Sequence, residues 1–354
     1  MAPVLAPLLT RLDRRGAAAP AADLPRPGLG GDDPVEVVRA ILADVAERGD
    51  VAVRDQTERL DGVRLDELQV PPEEVAAALE RVDPDVRSAL ESAAAEIASY
   101  HEGQVPPTRR HDREGVVLDE YYVPVARAGC YVPGGRARYP STVLMTVVPA
   151  RAAGVDEVVL VTPPGPDGTV PVETLAAAAI AGADEVYRVG GAQAVGALAH
   201  GTESIRPVDV IVGPGNVYVS QAKRQVTGLV GIPAAFAGPS EVVVVGDASV
   251  PAELCAVDIV VQAEHGPGGL AWLITWDEAV ADAVDIAIAG IVSQAERRND
   301  IESTLAEGGY TVLVDGPEAA LAVANAIAPE HLQLMTEDPQ ALVPLVRNLS
   351  LIHI

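Results

Sequence analysis

Several short segments of this chain carry residue types that could do chemistry. Tyr131-Val132-Pro133-Gly134-Gly135, Gly190-Gly191-Ala192-Gln193 and Gly213-Pro214-Gly215-Asn216 are glycine-rich corners. Glycine lets a backbone approach a phosphate closely, and a helix starting just after it adds free N–H groups and a positive dipole end. Dinucleotide binding is the chemistry open to them. None is a full GxGxxG, and a plain strand-to-helix turn has the same composition.

Gln262-Ala263-Glu264-His265-Gly266-Pro267 closes an expected helix, with Gln262 and His265 at i, i+3 on one face. Imidazole is a good zinc ligand and an amide oxygen a poorer one. A histidine at a helix C-terminus also suits the dipole, and spacing alone favours that cap. Ala328-Pro329-Glu330-His331-Leu332 sets an acid beside a base on a loop or helix start. Carboxylate and imidazole are the usual proton-transfer groups near neutrality. An isolated Glu-His pair is more often a surface acid beside a half-buried histidine. Cys130 could attack an aldehyde, or be a small buried hydrophobe. His101, His111 and His200 have no partner pattern and are given no role.

The elements that must position these residues follow from periodicity. Asp33-Pro34 reads as a helix start, and Val38, Ile41, Leu42 and Val45 follow at helical spacing up to Gly49. Further helices begin at Pro71-Pro72 and run from Asp85 to Tyr100. From Val116 the period changes, with short strands expected at 116–118 and 122–125. Strands at 158–162, 185–189 and 208–212 then alternate with helices, which calls for a parallel sheet. Ala153-Gly154-Val155-Asp156-Glu157-Val158 recurs as Ala181-Gly182-Ala183-Asp184-Glu185-Val186, one βα unit later. A second alternating set has strands at 241–245, 271–275 and 311–314.

The expected fold class is α/β: two Rossmann-like parallel-sheet domains with a helical N-terminal segment. The boundaries expected are an arm over 1–33, a first α/β domain over 34–130 plus 240–348, and an inserted dinucleotide-binding domain over 131–239. In open parallel sheets, ligands bind at the carboxyl ends of strands, and the glycine-rich corners fall there.

The chain has 354 residues, 49% of them apolar and 21% charged, which excludes a disordered or collagen-like chain. Its 51 acidic and 25 basic residues give a net charge of −26. Such a surface repels phosphate backbones and anionic lipids, so neither nucleic acid nor membrane is an expected partner. Lys223 is the only lysine. Cys130 and Cys255 form no CxxC, which fits free thiols in a reducing compartment. The apolar start precedes Arg11, Arg14 and Arg15, the wrong order for a secretory signal. No apolar run is long enough to span a bilayer, and a cytoplasmic location is expected.

Taken in order, Gly129–Gly135, Gly190–Val195, Gly213–Gln225, Ala237–Val243, Gln262–Pro267 and Asn325–Leu334 closely resemble the histidinol dehydrogenase family, over about residues 35 to 345. The resemblance implies oxidation of L-histidinol to L-histidine through the aldehyde, in two NAD-dependent steps, by a homodimer with one zinc per site. It implies that His331 takes the alcohol proton and that Glu330 activates the water that hydrates the aldehyde. It places Tyr131, Gln193 and Asn216 at NAD, Ser240, Gln262, His265 and His331 at the substrate, and Gln262 and His265 on zinc. Cys130 becomes a bystander. The family's continuation brings an Asp and a His, the latter from the neighbouring subunit, to the zinc, and a Glu to the substrate. Residues 349–354 do not look like that continuation, as a truncation or reading-frame error would leave them, and His353 is not expected to stand in as a ligand. Two alternatives share these motifs: a paralogous dehydrogenase for another small polar alcohol such as a sulfonated diol, and an inactive NAD-binding fragment.

Overall fold

The computed structural model describes residues 7–25, 34–134, 138–234, 240–266 and 268–354. The expected cap Asp33, together with Gly135, residues 237–239 and Pro267 of the motifs, lies outside them. In chain order the elements are β1 (Thr10–Asp13), α1 (Val35–Arg48), α2 (Asp50–Asp61), α3 (Pro72–Arg81), α4 (Pro84–Glu102), β2 (Arg109–Arg113), β3 (Val116–Glu120), β4 (Arg127–Tyr131) and α5 (Pro140–Ala152). There follow β5 (Glu157–Thr162), α6 (Val172–Ala181), β6 (Glu185–Arg188), α7 (Gly191–His200), β7 (Val210–Val212) and α8 (Val217–Val226). The last set is β8 (Glu241–Gly246), α9 (Ala252–Ala263), β9 (Leu270–Thr275), α10 (Glu278–Val292), α11 (Arg298–Gly308), β10 (Gly309–Leu313), α12 (Pro317–Ile327), β11 (His331–Met335) and β12 (Leu351–His353).

The chain divides into two compact units, residues 33–237 and residues 1–32 with 238–354. The first unit holds a parallel sheet in the order β6-β5-β4-β7. In sequence rank that is 3-2-1-4, half of the doubly wound pattern, with its switch point between β4 and β7. Both faces are covered, so the strands read as unbroken apolar runs. Val159 and Val161 face one core with Val38, Val45, Val53 and Val195. Val158 and Leu160 face the other with Val143, Val147, Leu175 and Ala178. Residues 34–130 thus supply helices to this sheet. That differs from the division drawn from sequence, which joined them to 240–348, because Val38, Ile41, Leu42 and Val45 pack on α7 and α8.

The second unit holds a parallel sheet in the order β1-β10-β9-β8-β11-β12. Val242 and Val244 face a core with Ile259 and Ile288, while Val243 and Val245 face one with Leu321 and Val323. The N-terminal segment is not simply an arm: β1 pairs in parallel with β10, and Leu9 is buried. Its Leu9 and Leu12 reach cores on opposite faces, as strand alternation requires. Two other expectations change. β2 and β3 form a separate antiparallel pair, and residues 122–125 form no strand. Among the described residues, no helix is long and apolar enough to cross a membrane.

Candidate active site

In the first unit the glycine-rich corners converge at the carboxyl end of the sheet. A Cβ on Gly134, after β4, would stand 2.8 Å from Pro163, and one on Gly190, after β6, 2.5 Å from the same ring. Gly213, after β7, packs against the Tyr131 backbone at the end of β4, the switch point of the sheet. Its φ is +100°, and a Cβ there would lie 2.0 Å from the Tyr131 carbonyl oxygen. Only glycine fits. Gly213→Ala should lower the stability of the folded chain by about 3 kcal/mol, through strain and the backbone collision together, read as a lower urea midpoint. An unchanged midpoint would show that the corner yields freely.

Tyr131 is buried, and its hydroxyl accepts a hydrogen bond from Gly191 N at 3.1 Å. Burial pushes the phenol up to about 12. It therefore stays protonated at neutral pH and can donate. Gln193 is fully buried, yet neither amide atom has a partner. An orphaned buried amide is costly, so its place beside Gly191 is what a bound polar group would repay. Asn216 is exposed, and its side-chain oxygen caps α8 by accepting from Tyr218 N and Val219 N. A ligand contact there falls to its NH₂ group. The opposite end of the sheet is closed by ion pairs of Arg127 with Glu157 and Glu185, at 2.6 and 2.5 Å. The carboxyl-end residues thus fit a dinucleotide: glycines for close approach, an orphaned amide and a free phenol donor.

Cys130 does not meet the demands of a nucleophile. It is fully buried in β4, and burial pushes its thiol up to about 12. A group so rarely ionised and so shielded is inert.

In the second unit the motif residues gather at the amino end of the sheet, opposite to the carboxyl-end rule. The reason is register. Leu270 N donates to Ser240 O, and Glu241 pairs with Leu270 as Val242 pairs with His331. The starts of β9, β8 and β11 are therefore side by side, about 5 Å apart per strand. Ser240 immediately precedes β8. His265 lies on the turn that links α9 to β9. His331 is the first residue of β11 and not on a loop or helix start as expected, because Leu332 and Leu334 alternate into the core.

The Glu330 carboxylate is exposed and approaches His331 Nε2 within 3.9 Å, while His331 Nδ1 lies 3.1 Å from His353 Nε2. Gln262 is buried in the last turn of α9 with its Nε2 unpaired. His265 donates from Nδ1 to the Val261 carbonyl at 3.0 Å. That contact is the helix-end interaction that spacing favoured, and it also leaves Nε2 as the free ring nitrogen, the tautomer metal-binding histidines use. The carbonyl end of a helix favours a cation. Gln262 and His265 would thus fit two positions of a four-ligand zinc shell. Among the described residues no group of three or more His, Cys, Asp or Glu side chains gathers to hold an ion.

Comparison with known proteins gives the family. The family model described as histidinol dehydrogenase matches residues 25–354, which includes residues 349–354 that the sequence reading sets outside the family. Histidinol dehydrogenase of Methanosarcina barkeri is 43% identical over 329 residues, covering 92% of this chain and 76% of the relative. That of Rhizobium meliloti is 45% identical over 326 residues, 91% of this chain and 75% of the relative. The crystal structure of histidinol dehydrogenase from Elizabethkingia anophelis superposes with a TM-score of 0.93 at 30% identity, covering 98% of this chain and 80% of that one. The chain belongs to the histidinol dehydrogenase family.

Proposed function

We propose that this chain oxidises L-histidinol to L-histidine through the aldehyde, with NAD as hydride acceptor and zinc as the substrate anchor, as a cytoplasmic homodimer. The observation that carries the reading is the gathering of Ser240, the Gln262/His265 turn and the Glu330/His331 pair at adjacent strand starts in one sheet. Family membership supports it, and the orphaned Gln193 amide beside Tyr131 and Gly191 supports a dinucleotide site.

The residues divide the work by their chemistry. Ser240, Gln262 and His265 hold the substrate's polar groups. Zinc, when bound at Gln262 and His265, supplies a Lewis-acidic hold on the substrate imidazole and amine. His331 Nε2 takes the hydroxyl proton as a hydride leaves the carbinol carbon, which gives the aldehyde. Glu330 then accepts a proton from the water that adds to the aldehyde carbon and returns it to the former aldehyde oxygen. The resulting gem-diol loses a second hydride and a proton and becomes the carboxylic acid. Two dinucleotides are reduced per histidine formed.

The test is an assay of nucleotide reduction with L-histidinol and, separately, with a sulfonated diol, with histidine measured as product. Two reduced nucleotides per histidine, and no comparable rate with the diol, are expected. Preference for the diol would replace the substrate while keeping the chemistry. No reduction with either would leave a binding fragment.

A further inference from the structure

At the carboxyl end of the four-stranded sheet, one acidic side chain is placed at a cost that the fold does not recover. Asp61 is the last residue of α2, where a negative charge opposes the helix dipole. It is half-buried, and its Oδ2 is buried with no partner. No cation among the described residues pairs with it, and burial alone pushes its carboxyl up.

The chain just after Asp61 lies at the carboxyl end of the sheet, where Val63 and Leu65 pack at Gly168 in the loop after β5. Residues 68–70 run antiparallel to β6: Arg188 N donates to Leu68 O, Val70 N donates to Val186 O, and Gln69 bridges Tyr187. Residues before 68 therefore run off the carboxyl end of β6, toward Gly190 and Gly191. The Asp61 charge also acts on the Tyr131 hydroxyl, adding to the rise that burial imposes. That hydroxyl in turn accepts from Gly191 N, beside the unpaired Gln193 amide. One turn back on α2, the Thr57 hydroxyl is likewise buried and unpaired. The corner thus offers a carboxylate that lacks donors.

We propose that Asp61 accepts hydrogen bonds from the adenosine ribose of the bound dinucleotide and, by its charge, excludes a 2′-phosphate, so that the site takes NAD and rejects NADP. A carboxylate at the carboxyl end of a parallel sheet suits a ribose diol, which brings two O–H donors and no charge. A 2′-phosphate would bring like charge into a half-buried site, which is strongly unfavourable. The inference rests on the dinucleotide reading of this unit and assigns the residue that selects between the two nucleotides.

The experiment is a titration of the full chain with NADH and with NADPH, read by nucleotide fluorescence, for the wild type, Asp61→Asn and Asp61→Glu, with melting curves to verify folding. Wild type should bind NADH well ahead of NADPH. Asp61→Asn should weaken NADH binding about tenfold and narrow its preference over NADPH. Asp61→Glu keeps the charge and should keep the rejection of NADPH, even if NADH binds less well. It decides the matter if the Asn variant does not fold: loss of that rejection in a folded Glu variant overturns the proposal. Folded variants with the wild-type NADH-to-NADPH ratio overturn the role of Asp61 but leave the dinucleotide site intact. A wild type that binds neither nucleotide overturns both.

Discussion

Replacing His331 with asparagine should reduce oxidation of L-histidinol about a thousandfold, the scale of a lost general base, while KM for the alcohol changes little. Asparagine is polar and similar in reach, but it cannot accept the hydroxyl proton. The backbone should tolerate it, because His331 is the first residue of β11 and only half-buried. The neighbouring Leu332 and Leu334 hold the strand in place. Histidinal offered directly should still be oxidised, since its hydration does not need this proton transfer. Stopped-flow traces with each substrate separate the steps. Near wild-type turnover of histidinol by His331→Asn would remove His331 from the role of base.

Glu330→Gln should show the complementary defect. The amide preserves shape and hydrogen bonding but cannot take a proton from water. The aldehyde step should fall by about two to three powers of ten, while the first hydride is released at a near wild-type rate. The expected signature is one reduced nucleotide per histidinol in a burst, with aldehyde trapped by a hydrazine reagent. The exposure of Glu330 argues that its replacement leaves folding intact, which a melting curve would verify. Equal loss in both steps would end the proposed division of labour between the two side chains.

The candidate residues of the two units were unequally legible in the sequence. Tyr131, Gly190, Gly191 and Gly213 were readable because a strand followed by glycine and then a helix fixes which end of a parallel sheet they occupy. The structure puts them at that end. What could not be read was that Gly134 and Gly190 meet the same proline, or that Asp61 shares the corner, since Asp61 comes from a helix far upstream. Asn216 carried a matching motif, but the motif could not say that its oxygen is spent on capping α8.

Glu330 and His331 were visible as an acid–base pair, and Gln262 and His265 as possible ligands, by residue type alone. Their common location was not. It depends on β11 lying beside β8, with His331 opposite Val242 across nearly ninety intervening residues. Local periodicity says which face a strand side chain takes, but not which strand is its neighbour or at which end a given residue falls. The N-terminal strand was missed for the same reason. Leu9 and Leu12 look like stray apolar residues in an arginine- and proline-rich stretch until β10 provides an edge to pair with.

The sequence by itself determined the residue types, the alternating α/β order and the doubly buried strands, because these follow from short-range periodicity and turn chemistry. Only the tertiary structure decided that the histidine motifs sit at the amino end of their sheet, that residues 34–130 cover the first sheet, and that Gln193 and Asp61 are left with buried atoms unpaired. Those outcomes turn on long-range strand pairing and on which polar groups lose water without gaining a partner, and no local stretch of chain encodes either.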